Sequence, residues 1–148
     1  MNILRHGGRA VLERFTRQRD ESGTATVFVV GVTLVMLACA GLVLDGGNAL
    51  NARMRLADDM EQAARAGAQE IDVDHLRQHG VVRLDTGAAE ARAVAFIAPA
   101  GYTDVRVRVE GEEITVSAKD SVSTDLLSLI GIHRFDVAAS AISQAVTQ

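Results

Sequence analysis

A long uncharged stretch dominates the first third of the chain. Residues 24–44 contain no charged side chain, and a helix of that length rises about 31 Å, which matches the hydrocarbon core of a bilayer. A buried helix of a soluble protein is the alternative, but the rest of the chain is too small to surround such a helix on every side. The pattern therefore predicts one transmembrane helix over residues 24–44.

The same stretch has some features of a removable secretion signal. Ala38-Cys39-Ala40 precedes Gly41 with the small-residue spacing of a signal-peptidase site. However, apolar residues continue to Leu44, and the acidic pair Asp20-Glu21 stands just before the stretch. A lipoprotein signal ending at Cys39 is also disfavoured, because the bulky Leu37 occupies a position that is usually small. We therefore predict an anchor in which Cys39 is a small packing residue.

The charges on either side predict the orientation. Residues 1–23, a basic leader, carry five arginines against three acidic residues, a net charge of +2, while the whole chain has a net charge of −4. Basic residues beside a transmembrane helix stay on the cytoplasmic side. We expect a single-pass protein of the cell membrane, in contact with membrane lipid, whose N-terminus is cytoplasmic and whose C-terminal part is extracytoplasmic.

Helical periodicity continues beyond the membrane, over residues 45–71. Small and apolar residues recur at steps of three and four, at Leu50, Met54, Ala57, Met60, Ala64, Gly67 and Ile71. Because much of this stripe is Ala and Gly, another backbone can approach it closely. The stripe packs on the chain's own C-terminal part, on partner helices, or on both over different parts of its length. The candidate helix-packing residues are Phe28, Leu50, Met54, Ala57, Ala64, Gly67 and Ala68.

The junction between the two helical segments carries an acid and two glycines. Asp45 is predicted to mark the membrane boundary, where its carboxylate reaches headgroup water. Gly46-Gly47 follows at once, and each glycine weakens a helix by about 1 kcal/mol relative to Ala. A bend is therefore expected at this point.

Residues 72–84 read as a polar linker. His75 and His79 stand four residues apart, a spacing that on a helix can bind zinc. No third ligand is specified nearby, and Gly80 would end the helix. A solvated helix end or linker is the preferred interpretation.

The remaining residues, 85–148, have the pattern of a small α+β domain. Asp85 or Thr86 can cap a helix with apolar positions at Ala91, Val94, Ala95 and Ala98, before Pro99. Strict alternation over 103–110 and again from Ile114 to Ala118, around Glu110-Gly111-Glu112, predicts a hairpin. A short apolar helix or turn at 126–130 precedes a third alternating strand from Phe135. The fold class is thus α+β: a transmembrane helix, a long amphipathic helix and about three antiparallel strands with one or two short helices.

Composition excludes several functions. A net charge of −4, 3% aromatic residues and no Trp argue against nucleic-acid binding, and one Cys excludes an internal disulfide framework. No nucleophile is paired with a base, and no glycine-rich phosphate loop is present. We therefore expect no catalytic residue, no cofactor and no metal.

Three segments carry a family resemblance. Residues 22–28 lead into the apolar stretch, residues 41–47 read GLVLDGG, and Leu56-Ala57-Asp58 is followed by AARAGA at 63–68. Together they resemble the TadE/TadG-like proteins of the bacterial Flp (tight adherence, Tad) pilus assembly machinery. The resemblance covers residues 20–70.

The resemblance implies a non-enzymatic, pseudopilin-like or minor component of a pilus or a related secretion system. Its partners would be other Tad/Flp assembly proteins or pilins, reached through helix packing. In this family a prepilin peptidase removes a basic leader after a glycine, which here would be Gly23, so that Thr24 becomes the first residue. Pilin-like members carry Glu at the fifth mature position, whereas this chain has Phe28.

Two other functions remain open at this level. The chain could be a membrane-tethered extracytoplasmic binding or sensory module unrelated to pili, in which case residues 72–148 should fold and bind a ligand alone. An enzyme would be favoured only if His75 and His79 proved to be metal ligands.

Overall fold

The computed structural model describes residues 8–145, and their side chains from residue 23 onward. Helix α1 spans Gly8–Gly67 and is followed by α2, Val73–His79, and α3, Thr86–Ile97. Three strands follow: β1, Thr103–Glu110; β2, Glu113–Ser123; and β3, Arg134–Gln144. Short 3₁₀ turns occupy Ala98–Ala100 and Leu127–Ile130. The predicted α+β class, with a long N-terminal helix and three antiparallel strands, is confirmed.

Helix α1 continues without interruption across Gly46 and Gly47. The part of α1 with described side chains, Gly23–Gly67, contains a window of mean hydropathy 2.8 of which only 6% is buried. Within the described residues it is the one helix long and apolar enough, by length and composition, to cross a membrane. Helix α1 is therefore a candidate membrane span.

The sheet has the order β1-β2-β3, and both pairs of neighbouring strands are antiparallel. The β1–β2 hairpin closes at Gly111, whose φ of 62° favours glycine. Strands β2 and β3 pair from Glu113↔Gln144 to Ser123↔Arg134 without a shift in register. The hairpin and the third strand that alternation predicts are therefore present.

The core lies between the C-terminal half of α1, the inner face of the sheet and α3. Leu56 and Met60 of α1 are fully buried against Ile114 and Val116 of β2. The inward stripe of α1 therefore passes through Leu56, not through Ala57, which is exposed. The difference has a physical reason: Leu56 and Met60 stand four residues apart and place two large side chains on the face that the sheet covers.

Helix α3 begins where the sequence predicts but buries another face. The Asp85 carboxylate accepts a hydrogen bond from the Ala88 N–H at 3.0 Å, which caps the helix. The inward positions are Ala89, Ala93 and Ile97, each four residues from the next. The predicted apolar positions Ala91, Val94, Ala95 and Ala98 lie outside this buried face. Small alanines at 89 and 93 let α3 approach α1 closely.

Candidate functional site: the exposed and covered parts of the long helix

The predicted packing residues separate into two groups. Phe28, Leu50 and Met54 are 71%, 57% and 58% exposed, and Ala57 is exposed as well. Ala64, Gly67 and Ala68 are instead buried in the chain's own core. Only the first group is free to meet another molecule, so the two uses of the stripe fall on different residues.

Gly67 lies at a close approach between α1 and the domain. A Cβ atom placed on Gly67 would lie 2.9 Å from the Ala89 carbonyl oxygen and 2.4 Å from Ile114 Cδ1. Such distances are closer than carbon atoms tolerate, so the glycine is required for the packing of α1 against α3 and β2. The small residues at 64, 67 and 68 therefore serve contacts within the chain.

The candidate cleavage residues lie on the exposed part of the helix. Gly23 and Thr24 are exposed, and α1 runs through both of them. A Cβ on Gly23 would meet nothing within 4 Å. Cleavage between them stays a prediction.

Asp45 holds a loop of the domain against α1. Its side chain is 2% exposed. One carboxylate oxygen accepts a hydrogen bond from the Leu127 N–H at 2.7 Å, and the other accepts one from the Asp125 N–H at 3.1 Å. Asp45 therefore does not face headgroup water as the sequence suggested, because two backbone donors replace that water.

Gly41 completes this contact one helical turn earlier. It is buried, and a Cβ built on it would lie 3.1 Å from Leu126 Cβ and 3.2 Å from Leu127 Cδ2. The Leu127 side chain is 4% exposed. Spacing could have indicated this site, since a small residue and an acid four apart share one helix face. However, the partner loop lies about eighty residues away in sequence, and no periodicity identifies it.

The linker between α1 and α3 is ordered by Asp72. Its carboxylate caps α2 by accepting from the His75 N–H at 2.8 Å, and it pairs with the Arg83 guanidinium at 2.7 Å. The hydrogen bond from the His75 N–H, reinforced by Arg83, holds the pKa of Asp72 below its usual value. Residues 72–84, predicted as a solvated helix end or linker, therefore contain a short capped helix.

The two histidines of α2 stack on each other. Their ring centroids are 4.4 Å apart, and desolvation, followed by the charge of Arg83, lowers the pKa of His75. Among the described side chains, no group of three or more His, Cys, Asp or Glu converges as metal ligands would. His79 is exposed and His75 is half-buried on this short helix.

A shallow cleft on the sheet holds a cluster of charged side chains. It has a volume of about 360 Å³ and is lined in part by Arg53, Arg106 and Lys119. Asp104 pairs with Arg106 and with Lys119, each at 2.7 Å. The Lys119 ammonium is the main cause of a lowered pKa of Asp104. Asp104 supplies one negative charge against the three positive ones, so the cleft keeps a net positive charge. Arg106 and Lys119 are exposed, and solvent therefore screens their attraction for an anion.

Tyr102 links the sheet end of the domain to α1. Its hydroxyl donates a hydrogen bond to the Asp59 carboxylate at 2.6 Å. That bond, followed by desolvation, raises the pKa of Tyr102 to about 12. The neutral phenol is therefore favoured by the fold.

This contact gives a pH-dependent prediction. Tyr102 is the one tyrosine in the sequence, so the ultraviolet absorbance of phenolate reports on it alone. We expect it to titrate near pH 12 in the folded protein. Because the folded pKa exceeds the unfolded one, this contribution is complete below about pH 10 and is lost as the pH rises towards 12. In Asp59→Asn the pKa should move back towards 10, and an unchanged titration would contradict the assignment.

A comparison with known families finds a match over the long helix. Residues 23–70 match the model of the Tad family, described as Flp pilus-assembly TadE/G-like. The matched segment covers Gly23–Gly67 of α1 and ends three residues beyond the helix. No curated protein and no solved structure matches the chain. The predicted family resemblance is thus confirmed over residues 23–70, and it supports a role related to pilus assembly.

Proposed function

We propose that the chain is a non-enzymatic, membrane-anchored, pseudopilin-like or minor component of a Flp/Tad-type pilus or related secretion system. Residues 24–44 span the cell membrane, the basic N-terminal segment 1–23 is cytoplasmic, and the α+β domain is extracytoplasmic. The partners are other Tad/Flp assembly proteins or pilins, contacted through the exposed face of α1, together with membrane lipid. No catalytic step is part of this role.

The proposal rests on the contrast between the exposed apolar part of α1 and the part that the domain covers. From residue 23 to 37 every side chain is exposed, although the sequence there is almost entirely apolar. In water such a surface would be strongly unfavourable, since burial of apolar area is worth roughly 25 cal/mol per Å². Lipid or neighbouring helices must cover it, which is the requirement of a helix that either spans a bilayer or packs in a filament.

Phe28 argues for a minor or accessory position. In a pilin-like subunit the acid at the fifth mature residue can pair with a neighbour's N-terminal amine among apolar helices. Phe28 cannot accept a proton or a hydrogen bond, so an amine buried beside it would be unpaired and costly. A subunit at a filament end, or an anchored assembly factor, avoids that repeated cost.

The intact mass and N-terminal residue of the protein from native membranes test the proposal. We expect a mature chain that begins at Thr24, because a prepilin peptidase would cut after Gly23. Replacement of Gly23 by a larger residue should block the cut and leave the leader in place. The mass difference between the two forms is a direct readout.

The other outcomes are distinct. A chain that begins at Met1 would remove the pseudopilin assignment and leave a permanently anchored component. A chain that begins at Gly41 would overturn the membrane anchor, because signal peptidase would then have released the domain.

A further inference from the structure

The loop between β2 and β3 exposes apolar side chains. Leu129 and Ile130 are 71% and 60% exposed, and Ile132 is 42% exposed. No charged residue lies between Asp125 and His133. We call residues 126–132 the apolar loop. An exposed apolar surface of this kind is unfavourable in water and marks a site of contact with another molecule or with a membrane.

The apolar loop lies beside the end of the membrane-spanning segment. Gly41 contacts Leu126 and Leu127, and Asp45 accepts hydrogen bonds from the Asp125 and Leu127 N–H groups. Gly41 is three residues before the last uncharged residue of the 24–44 stretch, a depth of about 5 Å along a helix. The apolar loop therefore overlaps the last turn of that stretch and lies at the level of the membrane surface.

The backbone of the apolar loop is hydrogen-bonded within the protein. Besides the two donors bound by Asp45, the Leu129, Gly131 and Ile132 N–H groups donate to carbonyls of the same loop at 3.1–3.2 Å. The Thr124 hydroxyl donates to the Ile132 carbonyl, which closes the base of the loop. Internal pairing of this kind is what a segment needs before it can enter a region poor in water.

We propose that the apolar loop inserts into the headgroup–acyl boundary of the leaflet on the domain's side, with phospholipid as its partner. The inference rests on the membrane span of the proposed function. Arg134 is exposed just after the loop, where its guanidinium can meet lipid phosphates. Three exposed apolar side chains are too few for a stable interface with another protein, whereas each buried apolar group adds to membrane binding.

Tryptophan fluorescence tests this placement in the full chain. The sequence contains no Trp, so Leu129→Trp introduces a single reporter at an exposed position that should not disturb the fold. The variant is reconstituted in phosphatidylcholine vesicles, with and without lipid brominated on its acyl chains near the headgroup. We expect blue-shifted emission and a loss of intensity approaching that of a tryptophan within the span. Ile130→Trp should behave alike.

Two matched variants separate the outcomes. Ile142→Trp, at a residue 60% exposed on the sheet, should remain red-shifted and unquenched. Val35→Trp, at a residue 63% exposed within residues 24–44, should be quenched and reports the span itself. If Val35→Trp is unquenched, the proposed span fails and the loop inference fails with it.

The loop inference also fails in two cases where the span holds. If Val35→Trp is quenched but Leu129→Trp resembles Ile142→Trp, the apolar loop stays in water. If Leu129→Trp is blue-shifted without quenching by brominated lipid, protein covers the loop, for example a second copy of the chain.

Discussion

Gly67→Ala is expected to destabilise the domain by about 1–3 kcal/mol, the cost of overpacking a well-filled core. The added methyl group would lie 2.9 Å from the Ala89 carbonyl oxygen. Ile114 can turn its terminal methyl group aside, but the α3 backbone can move only with its helix. The measurement is hydrogen exchange of the β2 amides in detergent-solubilised protein, which reports the free energy of opening the core.

Gly47→Ala is the matched control, because it makes the same substitution in the same helix. A Cβ on Gly47 would meet nothing within 4 Å. Replacing that glycine should leave core exchange unchanged or slow it, since alanine favours a helix by up to about 1 kcal/mol. Equal protection in the two variants would show that α1 and α3 are not in contact at Gly67.

Asp45→Ala is expected to release the 124–133 loop from α1. The substitution leaves the buried Leu127 N–H and the partly buried Asp125 N–H without their acceptor. An unsatisfied buried donor costs about 1–3 kcal/mol, and the partly buried one costs less because water can reach it. Exchange of these two amides should accelerate most, while the β2 amides, which belong to the core, should change less. Comparison of the two sets within one sample gives the effect directly.

Two further variants test the cause of that release. Asp58→Ala removes an exposed carboxylate of the same helix and should have no effect on the loop amides. Asp45→Asn keeps one acceptor oxygen and should give an intermediate acceleration. If Asp45→Ala leaves the loop protected, the packing of Leu127 against Gly41 is sufficient by itself.

The elements of the fold were predictable because each has a local signal. The hairpin follows from period-two alternation around Gly111, and α3 follows from its Asp85 cap and from Pro99 beyond its end. Which face of each helix is buried was harder to predict. Stripes through Ala57 or Leu56 have the same helical spacing, and the choice depends on where the sheet lies, which is a long-range property.

The contacts that hold the domain to the helix were not predictable from sequence. Asp45 looked like a boundary marker, because an acid after an apolar run usually faces water. Its actual partners are backbone N–H groups of residues 125 and 127, and backbone groups leave no signature in side-chain patterns. Likewise, the predicted packing stripe joined exposed Met54 with buried Gly67, since periodicity shows that a face is apolar without showing what covers it.

The domain contacts α1 on both sides of Gly46-Gly47, where two glycines lower the stability of the helix. Gly41 and Asp45 are held by the loop, Leu56 and Met60 are held by the sheet, and Gly46-Gly47 lies between these two contacts. The folded domain therefore restrains bending of α1 at these two glycines, which could otherwise act as a hinge. A pull or a rotation applied to the domain reaches the apolar half of the helix as a movement of one rigid body, whereas an unfolded domain would leave that hinge free to bend.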